Sequence, residues 1–253
     1  MLRCRRTVVV TIFLLIVAAI AWFSLRQYLH HPDALWRIVS QQCVPNQQKN
    51  QNPEPCAKVN LPSGFVLLKD IHGPLQYLLM PTAKMKGMES PELLQAQTPN
   101  FFWLAWQQRE MMSVRRGSHV PDDVVSLTIN STSGRTQNQL HIHISCLRAD
   151  VRGQLNQYAN TLSNQWQAFP ESLAGNQYIA RKVSAAEFSQ RSPFIMLASQ
   201  LSQAREHMGR YSLAMATLPG GEWIALATER NLLRLNLASA EQLQDHDCGL
   251  LKK

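Results

Sequence analysis

The sequence has no block of clustered lysine or arginine and no zinc-finger or RNA-binding signature. Charge of either sign is scarce, at 17% of 253 residues. The basic residues behind the net charge of +8 are scattered, as in Lys84, Lys86, Arg115, Arg116, Arg148, Arg152, Arg181 and Lys182. A nucleic-acid partner is therefore not expected, because such partners are met by basic patches or stripes. The remaining uses of a basic surface are anionic headgroups or a phosphorylated substrate. Low charge with 45% apolar residues also excludes a disordered chain. There is no internal repeat and no second-domain linker.

One long apolar run is present. Thr7 to Leu25 is a stretch of 19 uncharged residues behind Arg3, Arg5 and Arg6. At about 1.5 Å per residue it has the length of a transmembrane helix. Trp22, Phe23 and Tyr28 occupy an interfacial belt position, and the leading arginines predict a cytoplasmic N-terminus. The expected organisation is a membrane anchor over 1–29 and a catalytic domain over 30–253. The expected location is a bacterial inner membrane, crossed once, with the domain in the periplasm. A cleaved signal peptide ending near Ala19-Ile20-Ala21 is the alternative.

Of five cysteines, Cys4 lies ahead of the run and four follow it. An even number suits an exported domain. Cys43 and Cys56 bracket a Pro/Asn/Gln-rich loop that a disulfide would close, which leaves Cys146 and Cys248 for each other. Four free buried thiols is the other reading.

Beyond the run, short apolar strands and several helices point to an α+β fold with antiparallel strand pairs. Strands are expected at Phe65 to Lys69, Leu75 to Met80, Val124 to Ile129, Gln137 to Leu147 and Gln177 to Val183. Tyr211 to Leu218 and Glu222 to Thr228 flank Pro219-Gly220-Gly221 as a hairpin. Helices are expected at Phe101 to Val114, Asp150 to Trp166 and Ser192 to His207. The Phe101, Phe102, Trp103 and Trp106 cluster has the helical spacing of core.

The segment richest in chemistry is Gln139-Leu140-His141-Ile142-His143-Ile144-Ser145. On a strand, side chains alternate between faces. Gln139, His141, His143 and Ser145 then share one face, backed by Leu140, Ile142 and Ile144 in the core. Paired imidazoles suit a metal site, but no further acid or histidine follows within a few residues. A phosphoesterase built on two His-x-Ser/Thr motifs lacks its second copy. A nucleophilic histidine, attacking phosphorus with its neighbour's help, needs only this pair. Two ordinary half-exposed histidines on a strand is the plain alternative.

The run from Gly134 through Arg135, Thr136, Gln139, His141 and His143 resembles the histidine-triad superfamily, whose strand reads His-φ-His-φ-His with φ apolar. Asn130 resembles that superfamily's asparagine beside the bound phosphate. Upstream, Lys69-Asp70-Ile71 and Tyr77-Leu78-Leu79-Met80-Pro81 resemble its Asp-Ile strand end and Leu-Val-x-Pro strand. Gln139 stands where the superfamily has its first histidine, Arg135 replaces a glutamine, and Ser145 replaces an apolar residue. The sequences Asp70 to Pro74 and Leu140 to Cys146, with the overall layout, further resemble the bacterial CDP-diacylglycerol pyrophosphatases.

That resemblance implies a histidine-triad-like antiparallel sheet with flanking helices, preceded by one transmembrane helix. It implies hydrolysis of CDP-diacylglycerol to CMP and phosphatidate, a phospholipid substrate met at a membrane. His141 is the implied nucleophile, with His143 and Gln139 beside it. A frame shifted by two residues would instead give that role to His143. Asp70 would bind the ribose, and Asn130, Arg135, Thr136 and Ser145 the rest of the substrate. No metal or cofactor is needed in this scheme, the Glu-rich motif of Nudix pyrophosphatases is lacking, and a homodimer is implied by the superfamily. Hydrolysis of a soluble nucleotide ester and a non-catalytic binding role are the two other functions that this pattern accommodates.

Overall fold

The computed structural model describes residues 12–19, 22 and 31–252. Ten strands form one antiparallel sheet: β1 Lys58–Asn60, β2 Phe65–Lys69, β3 Tyr77–Pro81, β4 Val125–Ile129, β5 Ile142–Leu147, β6 Gln167–Ala168, β7 Ile179–Val183, β8 Tyr211–Thr217, β9 Trp223–Glu229 and β10 Gln244–Asp245. Their order is β1-β2-β3-β5-β4-β8-β9-β7-β6, and β10 pairs with the end of β5 that β3 does not reach. The expected hairpin is β8–β9, in register from Tyr211 opposite Glu229 to Thr217 opposite Trp223.

The two faces of the sheet are covered differently, and that difference makes the site. Ile142, Ile144 and Cys146 of β5, with Val125, Leu127 and Ile129 of β4, face one continuous core. Phe101, Phe102, Ala105 and Trp106 cover it from helix Phe101–Gln107. Asn100 caps that helix by accepting a hydrogen bond from the Trp103 N–H at 3.1 Å. The opposite face carries two separate apolar clusters. One joins Ala214, Ala216, Ile224 and Leu226 to Val151 and Leu155 of helix Ala149–Tyr158. The other joins Val66, Leu78 and Met80 to Val39, Cys43 and Cys56. Between these two covers run the polar residues of β4 and β5, namely Ser126, Thr128, His143 and Ser145, all buried. Strand alternation therefore sets a polar strip in the gap between two helical covers.

Both disulfides form. Cys43–Cys56 closes the segment under the second cover, and Cys146–Cys248 ties β5 to the chain after β10.

Several expectations need correction. Among the described residues no helix is long and apolar enough to cross a membrane. The longest α-helical element of the domain, Ala149–Tyr158, has 10 residues, about 15 Å of rise against roughly 30 Å of hydrocarbon. Much of the expected span, Thr7 to Leu25, lies outside the described residues. The described residues form an α+β antiparallel sheet with flanking helices, and none of their helices is a transmembrane one. The single-pass inner-membrane location with a periplasmic domain rested on that span and is withdrawn with it. The expected helix Phe101 to Val114 is two helices, Phe101–Gln107 and Glu110–Arg116. The expected helix Ser192 to His207 likewise breaks, into Pro193–Gln200 and Ser202–Glu206. Finally, β5 begins at Ile142, not Gln137. Ahead of it the backbone bonds to loops instead of strands: Asn138 N–H donates to Pro32 O and Leu140 N–H to Met85 O, each at 2.6 Å.

Candidate active site

A cavity of about 470 Å³ opens over the polar strip. Its floor carries His141, His143 and Asn130, and its walls carry Asp70, His72, Arg135, Thr136 and Glu241. Leu35 and Ile38 come from the helical segment after residue 33, and Leu68 and Leu78 from the sheet. The size falls within the range of small-molecule sites.

His141 sits one residue ahead of β5, where the chain is still turning. Its Nδ1 lies 2.6 Å from the carbonyl oxygen of Gln139. A carbonyl only accepts, so Nδ1 carries the proton and Nε2 keeps a free lone pair. Burial, and then the neighbouring His143, push the ring's pKa from 6.5 down to about 4. The imidazole is thus neutral at physiological pH. The two histidine rings meet edge to face, with centroids 4.9 Å apart.

His143 is fixed by a chain of polar contacts from the β2–β3 turn. Gln76 Nε2 donates to Asp70 Oδ2 at 2.6 Å and lies 3.1 Å from His143 Nδ1. A carboxylate only accepts, so the amide nitrogen must face Asp70, and the same NH₂ group supplies a proton toward His143. Neutral His143 then accepts at Nδ1 and holds its proton on Nε2. Buried Nε2 has no hydrogen-bond partner among the described residues. A buried donor left this way is ready for a ligand acceptor. Burial lowers the pKa of His143, with Glu241 and Asp70 opposing that shift.

Glu241 was not singled out from the sequence. Its Oε1 lies 3.5 Å from His143 Nδ1 and 3.3 Å from His246 Nε2. Asn130 holds it from two sides: Asn130 Nδ2 donates to Glu241 Oε2 at 3.0 Å, and the Glu241 N–H donates to Asn130 Oδ1 at 3.1 Å. Burial alone would raise its pKa. His143, the Asn130 hydrogen bond and His246 outweigh burial and hold the carboxyl below its ordinary value.

The remaining expected residues separate into two groups. Asp70, Asn130, Arg135 and Thr136 are brought to the cavity. Arg135 arrives already engaged, with a bidentate contact to Glu89 at 2.6 Å through each nitrogen. Gln139 and Ser145 do not line the cavity. The Gln139 amide donates to the carbonyls of Pro81 and Ala83, each at 3.0 Å, so only its backbone oxygen serves His141. Ser145 lies fully buried on β5 opposite Ser126. Gln76, Glu241 and His246 were missed, although Gln76 lies in the same block as Asp70. Two glycines close this arrangement. At Gly73, which has φ +63°, a Cβ would meet the His246 carbonyl oxygen at 2.5 Å. At Gly134 a Cβ would lie 2.9 Å from the Ala238 carbonyl oxygen.

A family model described as CDP-diacylglycerol pyrophosphatase matches residues 30–252. The chain belongs to this family. It is an enzyme that hydrolyses the pyrophosphate bond of CDP-diacylglycerol, releasing CMP and phosphatidate. The matched span includes every cavity residue named above. The chain therefore brings together, in one cavity of mixed polar and apolar lining, a neutral imidazole with a free lone pair, a second imidazole with an unused donor, and a carboxylate. Among the described residues no group of three or more His, Cys, Asp or Glu side chains is arranged to hold a metal ion.

Proposed function

We propose that His141 is the nucleophile of this hydrolysis. The observation that carries the reading is the 2.6 Å contact from His141 Nδ1 to the Gln139 carbonyl, which directs reactivity to Nε2. Nε2 attacks the phosphorus that bears cytidine. A nitrogen–phosphorus bond forms, the bond to the bridging oxygen breaks, and phosphatidate leaves with the electron pair. The positive charge on the cytidylylated ring is shared through Nδ1–H with the Gln139 carbonyl. Water then attacks the same phosphorus, CMP departs, and the electron pair returns to Nε2.

The other groups serve the charge that develops. His143 Nε2–H donates to a phosphoryl oxygen. Asp70 orients His143 through Gln76 and offers its carboxylate edge to the ribose hydroxyls. Thr136 and Arg135 flank the phosphates. The Glu241 carboxylate is the cavity base that takes a proton from the attacking water. In this scheme only the backbone carbonyl of Gln139 takes part, and Ser145 stays buried on β5 away from the cavity.

Rapid acid-free quenching of the enzyme with substrate labelled in the cytidine phosphate tests this. Label is expected on the protein within the first turnover, mapping to His141 and released as CMP. Turnover with no label trapped on His141 in the pre-steady state, or label mapping to His143, overturns the assignment.

The pH profile gives an independent check. A nucleophilic histidine must be neutral, and His141 becomes charged only as pH falls through about 4. The acid limb of kcat/KM, which reports the free enzyme, is expected near that value, well below the 6.5 of an ordinary histidine. A limb near 6.5 would show that burial does not hold the ring neutral.

A further inference from the structure

We propose that the loop from Asn231 to Ala238 is the surface by which this enzyme engages the aggregated lipid phase that holds its substrate. The inference rests on the lipid substrate named above and adds how its acyl end is met.

The loop spends its apolar residues on solvent. Leu233 is 99% exposed, Leu235 89% and Leu232 59%. Isolated exposed leucines are ordinary on protein surfaces, but neighbouring ones on a single loop mark a contact surface. The loop is built, not frayed. Asn231 and Asn236 bridge its base, and the Asn231 side chain accepts from the Arg234 N–H at 3.2 Å. Leu235 has φ +55°, a left-handed conformation that a leucine rarely adopts. The turn thus holds a bulky apolar side chain outward at some conformational expense.

Its position follows from what it is tied to. Ser131 Oγ donates to Leu237 O at 2.6 Å, and Ser131 N–H to Ala238 O at 3.0 Å. Ser239 Oγ donates to Asn130 Oδ1 at 3.1 Å, and Arg230 Nη1 to Ser133 Oγ at 2.8 Å. Asn130, Gly134 and Glu241 line the cavity. The leucine loop is therefore continuous with the cavity wall. On the β2–β3 turn, Ile71 also lines the cavity and is 92% exposed.

The occupant is fixed by size and charge. A cavity of about 470 Å³ suits a nucleotide diphosphate headgroup. It leaves two acyl chains outside, still in the lipid phase. An enzyme that works on such a headgroup must hold its cavity mouth against that phase, and exposed leucines beside it lower the free energy of doing so. Arg230 precedes the leucines and Arg234 lies among them, and both complement anionic lipid phosphates. No membrane-crossing segment is needed for this contact.

The test compares the wild type with the triple variant Leu232→Ser, Leu233→Ser, Leu235→Asn. One substrate is CDP-diacylglycerol in vesicles of phosphatidylcholine and phosphatidylglycerol, and the other is a water-soluble CDP ester with a glycerol-sized leaving group. The variant is expected to lose on the order of tenfold or more in kcat/KM on vesicles, mostly through KM, and to leave the vesicle pellet on sedimentation. Its rate on the soluble ester and its Tm are expected to match the wild type. Equal rates on vesicles would overturn the proposal. So would a parallel loss on both substrates at unchanged Tm, since the loop would then act through Glu241. A change from dimer to monomer in the variant would assign the leucines to a second copy of the chain. Failure of the wild type on both substrates would instead count against the proposed cavity chemistry.

Discussion

Replacing His141 by alanine is expected to lower kcat for CMP release by several orders of magnitude, with a loss of about 10² as the least consistent with a nucleophile. In the proposed scheme the ring supplies the attacking lone pair, and among the described cavity residues only it is held neutral with its Nδ1 proton committed to a backbone carbonyl. His143→Ala is expected to be slow but measurable, because it removes a donor to the phosphoryl oxygen and leaves the attacking atom in place. Removing one such donor typically slows kcat by roughly 10² to 10³. His141→Ala also leaves the Gln139 carbonyl without its partner, at a cost of about 1–3 kcal/mol in stability. A melting curve must therefore accompany the assay. His141→Ala retaining activity within about tenfold of wild type, with His143→Ala inactive, would transfer the nucleophile to His143 and restore the frame shifted by two residues.

The double variant Cys146→Ser, Cys248→Ser is expected to lose about 4–5 kcal/mol of stability, read by urea denaturation of the oxidised wild type against the variant. The bridge spans a sequence separation of 102 residues, and chain-entropy models put a loop near that length at about 4.7 kcal/mol. Both sulfurs are buried in the main core, so serine hydroxyls there add a desolvation cost. Cys43→Ser, Cys56→Ser, closing a separation of only 13, is expected to lose nearer 3 kcal/mol. Since a domain's whole stability is about 5–15 kcal/mol, the longer bridge is a large share of it. A loss below about 1 kcal/mol, or a larger loss at the shorter bridge, would contradict this ranking. The variant should also turn over more slowly at temperatures where it stays folded, because β10 and the Cys146–Cys248 bridge hold the segment that carries Glu241 and His246.

Parts of this molecule were legible in the sequence for physical reasons. Alternation along Ile142 to Cys146 is strict, so a strand with histidine on one face and isoleucine on the other could be read directly. The cysteine pairs followed from an even count and one obvious loop. The β8–β9 hairpin announced itself through Pro219-Gly220-Gly221. Gln139 shows where periodicity stops being informative. It has the right spacing to share the histidine face, but β5 starts three residues later, and a turning backbone does not alternate. Glu241 was illegible for another reason. It sits in the short 3-10 turn Ala240–Leu243, in a segment with no local pattern, and reaches His143 only because β10 adds to β5 across about 100 residues of chain. The transmembrane helix was read from an uncharged run with its flanking arginines and aromatic residues, and composition over a run does not specify the helix that must carry it.

The order in which the site's parts occur along the chain has a consequence for biosynthesis. Asp70 and Gln76 come early, the histidines in the middle, and Glu241, His246 and Cys248 late. A ribosome-bound chain that has emerged only as far as residue 239 has its histidine strand but lacks β10, the carboxylate and the bridge. Long-range pairings of this kind form slowly, after the sequence-local ones. Under the proposed roles, the growing polypeptide lacks part of its site until these last elements dock, and the site is completed together with the covalent closure of the fold.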